Sequence, residues 1–209
     1  MTAGRAGALV AIEGIDGTGK TTLQRALAQD WRRLGLRVVE LQEPTRGPTG
    51  REARRSSGKD AWTAAMAFTQ DRRHQRPRVT QALRAGNVVL LDRSFYSTLA
   101  YQGSALPAGQ RRELERLQRK ATLIPDRVIL LNLPLRAAER RMRGRGARRA
   151  PTERQGVLRR ASRAYRQLAQ RPGWMVLDAR RPTEKLLEAI DRRLTPWVMR
   201  RAAPRRGRT

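Results

Sequence analysis

One short segment limits the fold of this chain more than any other feature: residues 14–21 have the pattern G-x-x-x-x-G-K-[S/T]. An apolar run over residues 8–12 precedes it and predicts a buried strand, and residues 21–34 follow with the spacing of an amphipathic helix. A glycine-rich loop between a strand and a helix aims backbone N–H groups at an anion, and the helix N-terminus favours the same negative charge. The segment therefore predicts a phosphate-binding loop, here called the P-loop, in an α/β protein.

The residues of the P-loop have separate expected tasks. Its glycines permit the tight turn, Lys20 would reach the β- and γ-phosphates of a nucleotide, and the Thr21 hydroxyl would bind Mg²⁺. A glycine-rich turn without a ligand is the alternative, but the flanking strand and helix favour the nucleotide site. The residues expected to hold ATP are Gly14, Gly17, Thr18, Gly19, Lys20, Thr21 and Thr22.

Strand-like and helix-like segments alternate along the rest of the chain, which predicts a parallel sheet covered by helices on both faces. No internal repeat or interdomain linker is found, so we expect one domain over residues 1–201 and a disordered basic tail over 202–209. The predicted strands are 8–12, 37–41, 87–91, 127–131 and 174–177, and the predicted helices are 21–34, 61–85, 108–120, 134–143, 153–170 and 183–200.

Asp92 and Arg93 follow an almost wholly apolar strand, at the edge of a parallel sheet where ligands bind. A carboxylate there can hold Mg²⁺ together with Thr21. The planar guanidinium of Arg93 suits a bridge between donor and acceptor phosphates. The alternative is that Asp92 and Arg93 form a surface ion pair. Their position directly after a buried strand favours the functional role instead. We therefore count both residues as candidate catalytic groups.

Two segments depart from regular structure. Residues 42–60 form a Gly-, Pro- and Arg-rich connection that is too long for an ordinary turn. Residues 144–152, GRGARRAPT, interrupt the helical pattern with glycines and arginines, and a solvated loop is one interpretation of them. Because a flexible cationic segment can close over phosphates, the other interpretation is a lid.

The formal net charge is +28, from 46 Lys and Arg residues against 18 Asp and Glu. A nucleic-acid partner is one explanation, and binding would then be non-specific and strongly salt-dependent. The arginines are spread along the whole chain, however, and aromatic residues make up only 4%, too few for a convincing base-stacking surface. Compositional bias on solvated helix faces is therefore the favoured explanation.

Other kinds of chemistry are limited by what the sequence lacks. It has no cysteine, so neither a disulfide nor a thiolate metal site can form. The sole histidine, His74, lies among arginines and is expected on the surface. No apolar run approaches the length of a membrane span, and the N-terminus has no signal-peptide core. We expect a soluble cytoplasmic protein without a membrane partner.

Two segments, EGIDGTGKTT and DRSFYSTLAYQG, together with the order of strands and helices, resemble the thymidylate kinase family of nucleoside-monophosphate kinases. The similarity covers nearly the whole chain. Many NTPases share the P-loop, whereas residues 92–103 are more particular to this family. The resemblance implies a doubly wound five-stranded parallel sheet with a short arginine-rich lid. It also implies ATP- and Mg²⁺-dependent phosphorylation of dTMP to dTDP by a homodimer.

The resemblance assigns one group of residues to the sugar of the acceptor nucleotide. Asp16 would hold the 3′-hydroxyl, although its side chain could instead cap the following helix. Tyr101 would lie against C2′ and disfavour ribonucleotides, with Gln102 beside it. Packing in the core is the alternative role for Tyr101. These residues predict an acceptor site next to the P-loop.

A second group is assigned to the base, and most of it lies on the helix predicted over 61–85. Phe68 would stack on the base, with core packing as the alternative. Arg72, one turn later on the same face, would hydrogen-bond a base carbonyl, and Thr98 would meet the base edge. Because Pro77 interrupts this helical pattern, Arg73 remains an alternative to Arg72.

Members of the family place a transition-state arginine either in the P-loop or in the lid. In this chain the P-loop position is Gly17 and the lid region is rich in arginine, which resembles the second group. An arginine there would supply positive charge to the transferring phosphoryl group. The candidates are Arg143, Arg145, Arg148 and Arg149, and the sequence does not choose among them.

Two departures from the family pattern leave the acceptor open. Many bacterial members have Arg-Glu-Pro after the second strand, where this chain has Gln42 and then Glu43; Arg46 or Arg51 could replace the missing arginine at the acceptor phosphate. Deoxynucleoside kinases also carry Glu-Pro there, with the glutamate as base for a 5′-hydroxyl, and an acidic residue followed by Arg-Ser, as in residues 92–94. A deoxynucleoside kinase is therefore one alternative. The other is a basic P-loop protein that binds nucleic acid and has vestigial kinase activity.

Overall fold

The computed structural model of the chain describes residues 7–144 and 152–202. Within these ranges five strands form one sheet in the order β2-β3-β1-β4-β5, and all neighbouring strands are parallel. This confirms the predicted five-stranded parallel sheet. The strands are β1 (Ala8–Glu13), β2 (Val38–Gln42), β3 (Val88–Asp92), β4 (Arg127–Asn132) and β5 (Trp174–Asp178).

Helices connect the strands and flank the sheet in the described ranges, as the alternation of the two periodicities predicts. None of these helices combines the length and the apolar character that crossing a bilayer requires. The helices are α1 (Lys20–Arg33), α2 (Pro48–Ser56), α3 (Ala61–Arg84), α4 (Phe95–Tyr101), α5 (Ala108–Ala121), α6 (Leu135–Arg143), α7 (Thr152–Leu168), α8 (Thr183–Arg193) and α9 (Thr195–Ala202), with a short 3₁₀ helix at Gly103–Ala105.

Three helices differ from the sequence-based prediction. The connection over 42–60 contains α2, which begins at Pro48 because proline lacks an N–H and suits the first turn of a helix. The segment after β3 forms α4, which begins after Ser94, whose hydroxyl accepts a hydrogen bond from the Tyr96 N–H at 3.3 Å. The single helix predicted over 183–200 is wrong: α8 ends at Arg193 and α9 begins afresh, because Pro196 cannot supply an N–H to a continuing helix.

The helix that follows the P-loop, α1, is fixed to the sheet by polar contacts as well as by burial. The side-chain amide of Gln24 donates to the carbonyl oxygens of Leu41 and Leu90, at 2.7 and 2.8 Å, and so links α1 to both β2 and β3. The fully buried Trp31 donates its indole N–H to Thr195 Oγ1 at 2.9 Å and anchors the far end of α1 on α9. Because these donors are buried, each unmade bond would cost about 1–3 kcal/mol. The N-terminus of α1 is therefore held in place against the sheet.

Two adjacent inner strands, β1 and β3, bring the predicted site residues to one edge. Every residue of β1 and of β3 is buried, as expected for strands covered on both faces. β1 runs directly into the P-loop, and β3 ends at Asp92, which pairs with Ile12 in the parallel register. The carboxyl ends of these strands are therefore adjacent, in the place where open α/β sheets bind their ligands.

Candidate active site

The P-loop has the backbone conformation that its glycines permit. Gly14 has φ 146°, Gly17 has φ 84° and Gly19 has φ 95°, values that residues with a side chain rarely adopt. A Cβ atom on Gly14 would also lie 2.7 Å from the Leu131 carbonyl oxygen, so the loop passes close to β4. Thr18 closes the turn, since its hydroxyl donates to the Ile15 carbonyl at 2.9 Å. No described side chain caps the N-terminus of α1, so its first N–H groups suit an anion.

Lys20 lies buried beneath this loop. Its Nζ donates to the Ile15 carbonyl oxygen at 3.1 Å. Burial lowers the pKa of Lys20 to about 8, and the positive charge of Arg93 acts in the same direction, opposed by Asp16 and Asp92. A phosphate bound in the loop would favour the charged amine, because it adds negative charge beside a partly desolvated cation.

Thr21 and Asp92 face each other across the end of the sheet. The Thr21 hydroxyl donates to Asp92 Oδ2 at 2.5 Å, and Asp92 is buried. Hydroxyl and carboxylate oxygens are the ligand types that Mg²⁺ uses in such sites, where water and substrate phosphates supply the rest. In the part of the chain that the structure describes, no cluster of three His, Cys, Asp or Glu residues could hold a metal by itself. The pair therefore fits Mg²⁺ bound jointly with a nucleotide.

Arg93 adopts an unusual backbone conformation, with φ 74°, in the left-handed region that costs a residue other than glycine about 1–2 kcal/mol. One guanidinium nitrogen pairs with the Asp16 carboxylate, and the other donates to Ser97 Oγ at 3.0 Å. The guanidinium carbon lies 5.1 Å from the centre of the Tyr101 ring. Arg93 is thereby aimed into the space between the P-loop and α4.

A cavity of about 230 Å³, here called the acceptor cavity, opens beside Arg93. The predicted acceptor residues come together in it from distant parts of the chain, and Arg46 is the exception. Arg46 instead lines a different groove, of about 640 Å³, and Arg51 is exposed, donating to the Arg46 carbonyl at 3.1 Å. The predicted residues that line the acceptor cavity are Asp16, Glu43, Phe68, Arg72, Arg93, Thr98, Tyr101 and Gln102.

The walls of the acceptor cavity leave polar and aromatic groups for a ligand. Thr98 is 1% exposed, and its hydroxyl has no hydrogen-bond partner among the described residues. Because an unpaired buried hydroxyl is costly, a ligand atom that bonds to it would be bound favourably. Phe68 lines the same cavity, is partly exposed and does not belong to the buried core, as a residue that stacks on a base requires.

Arg72 lies at the base of the cavity in a buried ion pair. Its Nε bonds to the Glu43 carboxylate, and its other two nitrogens donate to Gln118 Oε1 at 3.3 Å and to the Ser94 carbonyl at 3.2 Å. Burial raises the pKa of Glu43 to about 7, against the opposing effect of Arg72. Arg73 is exposed and lines a different groove, so the structure brings Arg72 rather than Arg73 to the cavity. Pro77 lies within α3, which continues beyond it to Arg84.

The candidate lid lies largely outside the described residues. This holds for Arg145, Arg148 and Arg149, whereas Arg143 is exposed at the end of α6. α6 itself packs on the P-loop: a Cβ on Gly17 would lie 2.6 Å from the Ala138 carbonyl oxygen. The P-loop therefore has no room for a side chain at Gly17.

Several residues that support this site were not predicted from the sequence. Glu13, the residue before Gly14, is fully buried and bonds to groups on α4 and α7; its one signal was a carboxylate at the end of an apolar strand. Gln118 on α5 contacts Arg72 and Thr69, and nothing in its local sequence marks it. Arg141 donates to the Ala179 carbonyl at 2.8 Å, and a second nitrogen lies 3.5 Å from the P-loop carbonyl of Thr18. Only the tertiary fold brings these partners together.

A P-loop at the carboxyl edge of a parallel sheet, with the acceptor cavity beside it and an arginine between the two, defines a P-loop nucleotide kinase. The thymidylate kinase family model matches residues 12–190. The chain is also 39% identical over 186 residues to the thymidylate kinase of Xanthomonas oryzae pv. oryzae (strain PXO99A), covering 87% of this chain and 80% of that one. It is 37% identical over 186 residues to the thymidylate kinase of Xylella fastidiosa (strain 9a5c), covering 87% of each. The chain belongs to the thymidylate kinase family, and is thus a nucleoside-monophosphate kinase.

Proposed function

We propose that this protein transfers the γ-phosphoryl group of ATP to dTMP and yields ADP and dTDP. The observation that carries the proposal is the position of Arg93, which lines the acceptor cavity and also pairs with Asp16 of the P-loop. A cation between the two sites suits phosphates on both. The names of the relatives support thymidylate as the acceptor.

In this reaction the bond between the γ-phosphorus and the β–γ bridging oxygen of ATP breaks, and a 5′-phosphate oxygen of dTMP forms the new bond. The acceptor is already anionic, so the protein has to position it and offset negative charge rather than remove a proton. Lys20 would hold the β- and γ-phosphates, and Arg93 would neutralise charge between donor and acceptor. Arginines of the candidate lid, Arg143, Arg145, Arg148 and Arg149, would add charge at the transferring group.

The acceptor cavity suits a pyrimidine deoxynucleotide. Phe68 would stack on the base, and Arg72 and Thr98 would bond to its polar edge, the second through its unpaired hydroxyl. Asp16 would hold the 3′-hydroxyl, and Tyr101 would lie against C2′ with Gln102 beside it. Glu43 would hold the Arg72 guanidinium in its orientation through their ion pair.

We propose Mg²⁺ as the metal that accompanies ATP, held by Thr21 and Asp92. Its chemistry would be to offset charge on the β- and γ-phosphates. The P-loop N–H groups, including those of Gly14, Gly17, Thr18, Gly19 and Thr22, would hold the remaining phosphate oxygens. The donor side of the site would thus be built from the segment between β1 and α1.

A deoxynucleoside kinase would need a free general base near the acceptor 5′-hydroxyl. Glu43 is the candidate for that role, and its pKa of about 7 would suit a base. Its carboxylate, however, is buried and bonded to the Arg72 guanidinium. Family membership favours the monophosphate acceptor as well.

The test of the proposed function is release of ADP from Mg·ATP with dTMP, thymidine, dUMP, dCMP or no acceptor. We expect strong turnover with dTMP, weaker turnover with dUMP and none above background with thymidine. Turnover with thymidine would instead support a 5′-hydroxyl acceptor and Glu43 as base. Hydrolysis that is independent of acceptor, or no turnover at all, would overturn the proposed reaction.

Replacing Tyr101 with alanine should relax discrimination between deoxyribo- and ribonucleotides. The Tyr101 hydroxyl accepts a hydrogen bond from the Asp16 N–H at 3.1 Å, which holds the ring beside the expected sugar position. Loss of the ring opens space for a 2′-hydroxyl, so the ratio of kcat/KM values for dTMP and its ribonucleotide should fall about tenfold or more. Tyr101→Phe, which keeps the ring, is the control and should retain most of the discrimination. Equal ratios in wild type and Tyr101→Ala would remove Tyr101 from the sugar site.

The pH dependence of ATP use should follow Lys20. The free protein loses the Lys20 charge as pH rises through about 8, so kcat/KM for ATP should fall on the alkaline side with an apparent pKa near 8. Bound phosphates would raise that pKa, so kcat at saturating ATP should persist to higher pH. Initial rates at saturating dTMP and constant ionic strength, between about pH 7 and 10, measure the alkaline decline of kcat and that of kcat/KM. Phosphate titration near pH 6 lies below this range. Identical alkaline limbs for kcat and kcat/KM would contradict the assignment.

We further propose that the protein is a cytoplasmic homodimer, as expected from its sequence and family, and that its affinity for nucleic acid is non-specific. Support for the last point is the groove on α3 lined by Arg73, Arg76 and Arg84. Light scattering after size exclusion would test the dimer. Titration of DNA binding with salt would test the last point: a steep loss of binding toward physiological salt is expected.

A further inference from the structure

A buried carboxylate, Glu13, lies at the centre of a hydrogen-bond network of which only Ser97 lines the acceptor cavity. Its Oε1 accepts from the Ser94 N–H at 2.8 Å and the Ser94 hydroxyl at 2.7 Å. Its Oε2 accepts from the Ser97 hydroxyl at 2.7 Å and the Tyr165 hydroxyl at 2.8 Å. Glu13 is fully buried, and four donors are an unusually complete shell for one carboxylate. This set of residues, Glu13, Ser94, Ser97 and Tyr165, is called the Glu13 network below.

The Glu13 network fixes the backbone on both sides of Arg93. The Arg93 N–H donates to the Ile12 carbonyl at 3.0 Å, and the next N–H, that of Ser94, donates to the Glu13 carboxylate. The end of β1 therefore holds both peptide groups that flank the left-handed φ of Arg93. A conformation that is unfavourable for arginine persists only where its surroundings enforce it.

The same network fixes the side chain of Arg93. Ser97 donates its hydroxyl proton to Glu13, which leaves a lone pair of its oxygen for the Arg93 guanidinium at 3.0 Å. The Glu13 carboxylate accepts from four donors at once, so it sets the direction of the Ser97 hydroxyl. Because the guanidinium also pairs with Asp16, the network and the cavity wall together determine where it points.

Tyr165 connects this arrangement to α7, the helix that follows the candidate lid in the chain. Its hydroxyl lies 2.8 Å from both Glu13 Oε2 and Ser97 Oγ, and its ring packs edge-on against Tyr101, with centres 6.3 Å apart. Burial raises the pKa of the Tyr165 phenol well above its usual value, so it remains a donor at neutral pH. α7 is thereby linked to the arginine between the two substrate sites indirectly, through one hydroxyl that lies against Glu13 and Ser97.

We propose that Glu13 is a positioning residue for phosphoryl transfer, which holds Arg93 in its left-handed, cavity-facing conformation through Ser94 and Ser97, with Tyr165 completing the network from α7. The proposal rests on the proposed function, since it assigns to Arg93 the task of binding the acceptor phosphate. It assigns no contact with substrate to Glu13 or Tyr165. Their effect on the reaction passes through Arg93.

The test compares Tyr165→Phe and Glu13→Gln in wild-type protein and in the Arg93→Ala background. Each variant is assayed for kcat, for KM of ATP and for the dissociation constant of dTMP by calorimetry. Tyr165→Phe removes one donor and should weaken dTMP binding and lower kcat several-fold, with KM for ATP unchanged. Glu13→Gln replaces one acceptor oxygen by an NH₂ group, which faces hydrogen-bond donors. It should therefore have the larger effect on dTMP binding and kcat, about tenfold or more. In the Arg93→Ala background, both should have no further effect on dTMP binding or kcat.

Tyr96→Phe is the matched control, since Tyr96 is also a buried tyrosine next to the site but lies outside the Glu13 network. It should leave kcat, KM for ATP and the dissociation constant of dTMP unchanged. Losses of equal size with and without Arg93, or no loss in Tyr165→Phe, would overturn the proposal. If Glu13→Gln does not fold, Tyr165→Phe and Ser97→Ala still decide the question. If the wild type binds dTMP but does not phosphorylate it, the proposed function fails, and the binding constants alone still test the network.

Discussion

Replacing Lys20 with alanine should lower kcat for phosphoryl transfer by about 10³-fold, the cost of removing one preorganised cationic or hydrogen-bond donor from a transition state. Lys20 is the ammonium group beneath the P-loop, and its Nζ now bonds to a backbone carbonyl that a phosphate oxygen would replace. Because burial already lowers its pKa, this charge is costly to keep without a ligand. We expect it to be retained for binding the nucleotide rather than for stability. The measurement is initial rate with dTMP at saturating Mg·ATP.

Two further variants separate the charge of Lys20 from its packing. Lys20→Met keeps the length of the apolar stem and should be as inactive as Lys20→Ala. Lys185→Ala removes an exposed lysine that pairs with Glu188 on α8 and should keep full activity. Thermal unfolding of all three should stay close to wild type, since no structural ion pair of Lys20 is lost. Full activity in Lys20→Ala would remove the P-loop from the mechanism.

Replacing Arg93 with alanine should have an effect of similar size, a loss of about 10³-fold in kcat/KM for dTMP, within the range known for arginines that stabilise phosphoryl transfer. Arg93 alone among the described arginines bonds to both Asp16 and Ser97 at the mouth of the acceptor cavity. Arg93→Lys keeps the charge but not the planar fork with two parallel donors, so it should recover only a small part of the activity. Steady-state kinetics with dTMP varied at saturating ATP give this ratio.

The left-handed φ of Arg93 offers a control that separates backbone from side chain. Arg93→Gly should be as inactive as Arg93→Ala, because both lack the guanidinium. It should nevertheless be more stable by about 1 kcal/mol, because glycine adopts φ 74° without the steric cost of a Cβ. Chemical denaturation measures the difference. Equal stability of the two variants would argue against the left-handed conformation, and an active Arg93→Gly would argue against the role of the side chain.

The sheet and the P-loop could be predicted from the sequence because their signals are local. A strand, a glycine pattern and an amphipathic helix occupy residues 8–34 without interruption. The buried strand before Asp92 can be recognised because its residues are almost all apolar. The acceptor cavity was predicted through the family resemblance, and the structure brings eight of its nine predicted residues together. Their roles in binding stay predictions. Arg46, chosen only to replace the arginine absent at Gln42, lies in another groove.

The other features of the fold and site depend on tertiary contacts between segments that are distant in the sequence. α2 and α4 are short helices within segments that are rich in glycine, proline or aromatic residues, and α2 contains no large apolar side chain. The partners of Glu13 lie 81 to 152 positions away. The orientation of Arg72 is determined by Glu43, Gln118 and the Ser94 carbonyl, which come from three other segments. Such polar residues can be recognised as supporting the site only when the folded structure shows that they are buried.

The close approach of α6 to Gly17 restricts how this enzyme could evolve. The resemblance implies that some relatives supply the transition-state arginine from this P-loop position, yet here the Ala138 carbonyl occupies the space that any side chain would need. A Gly17→Arg mutation would therefore be deleterious when it comes first, whatever the benefit of its charge. A lineage with this backbone would first have to acquire changes that withdraw α6, and only then gain the arginine. The order of mutations, rather than the chemistry of one residue, separates the two arrangements.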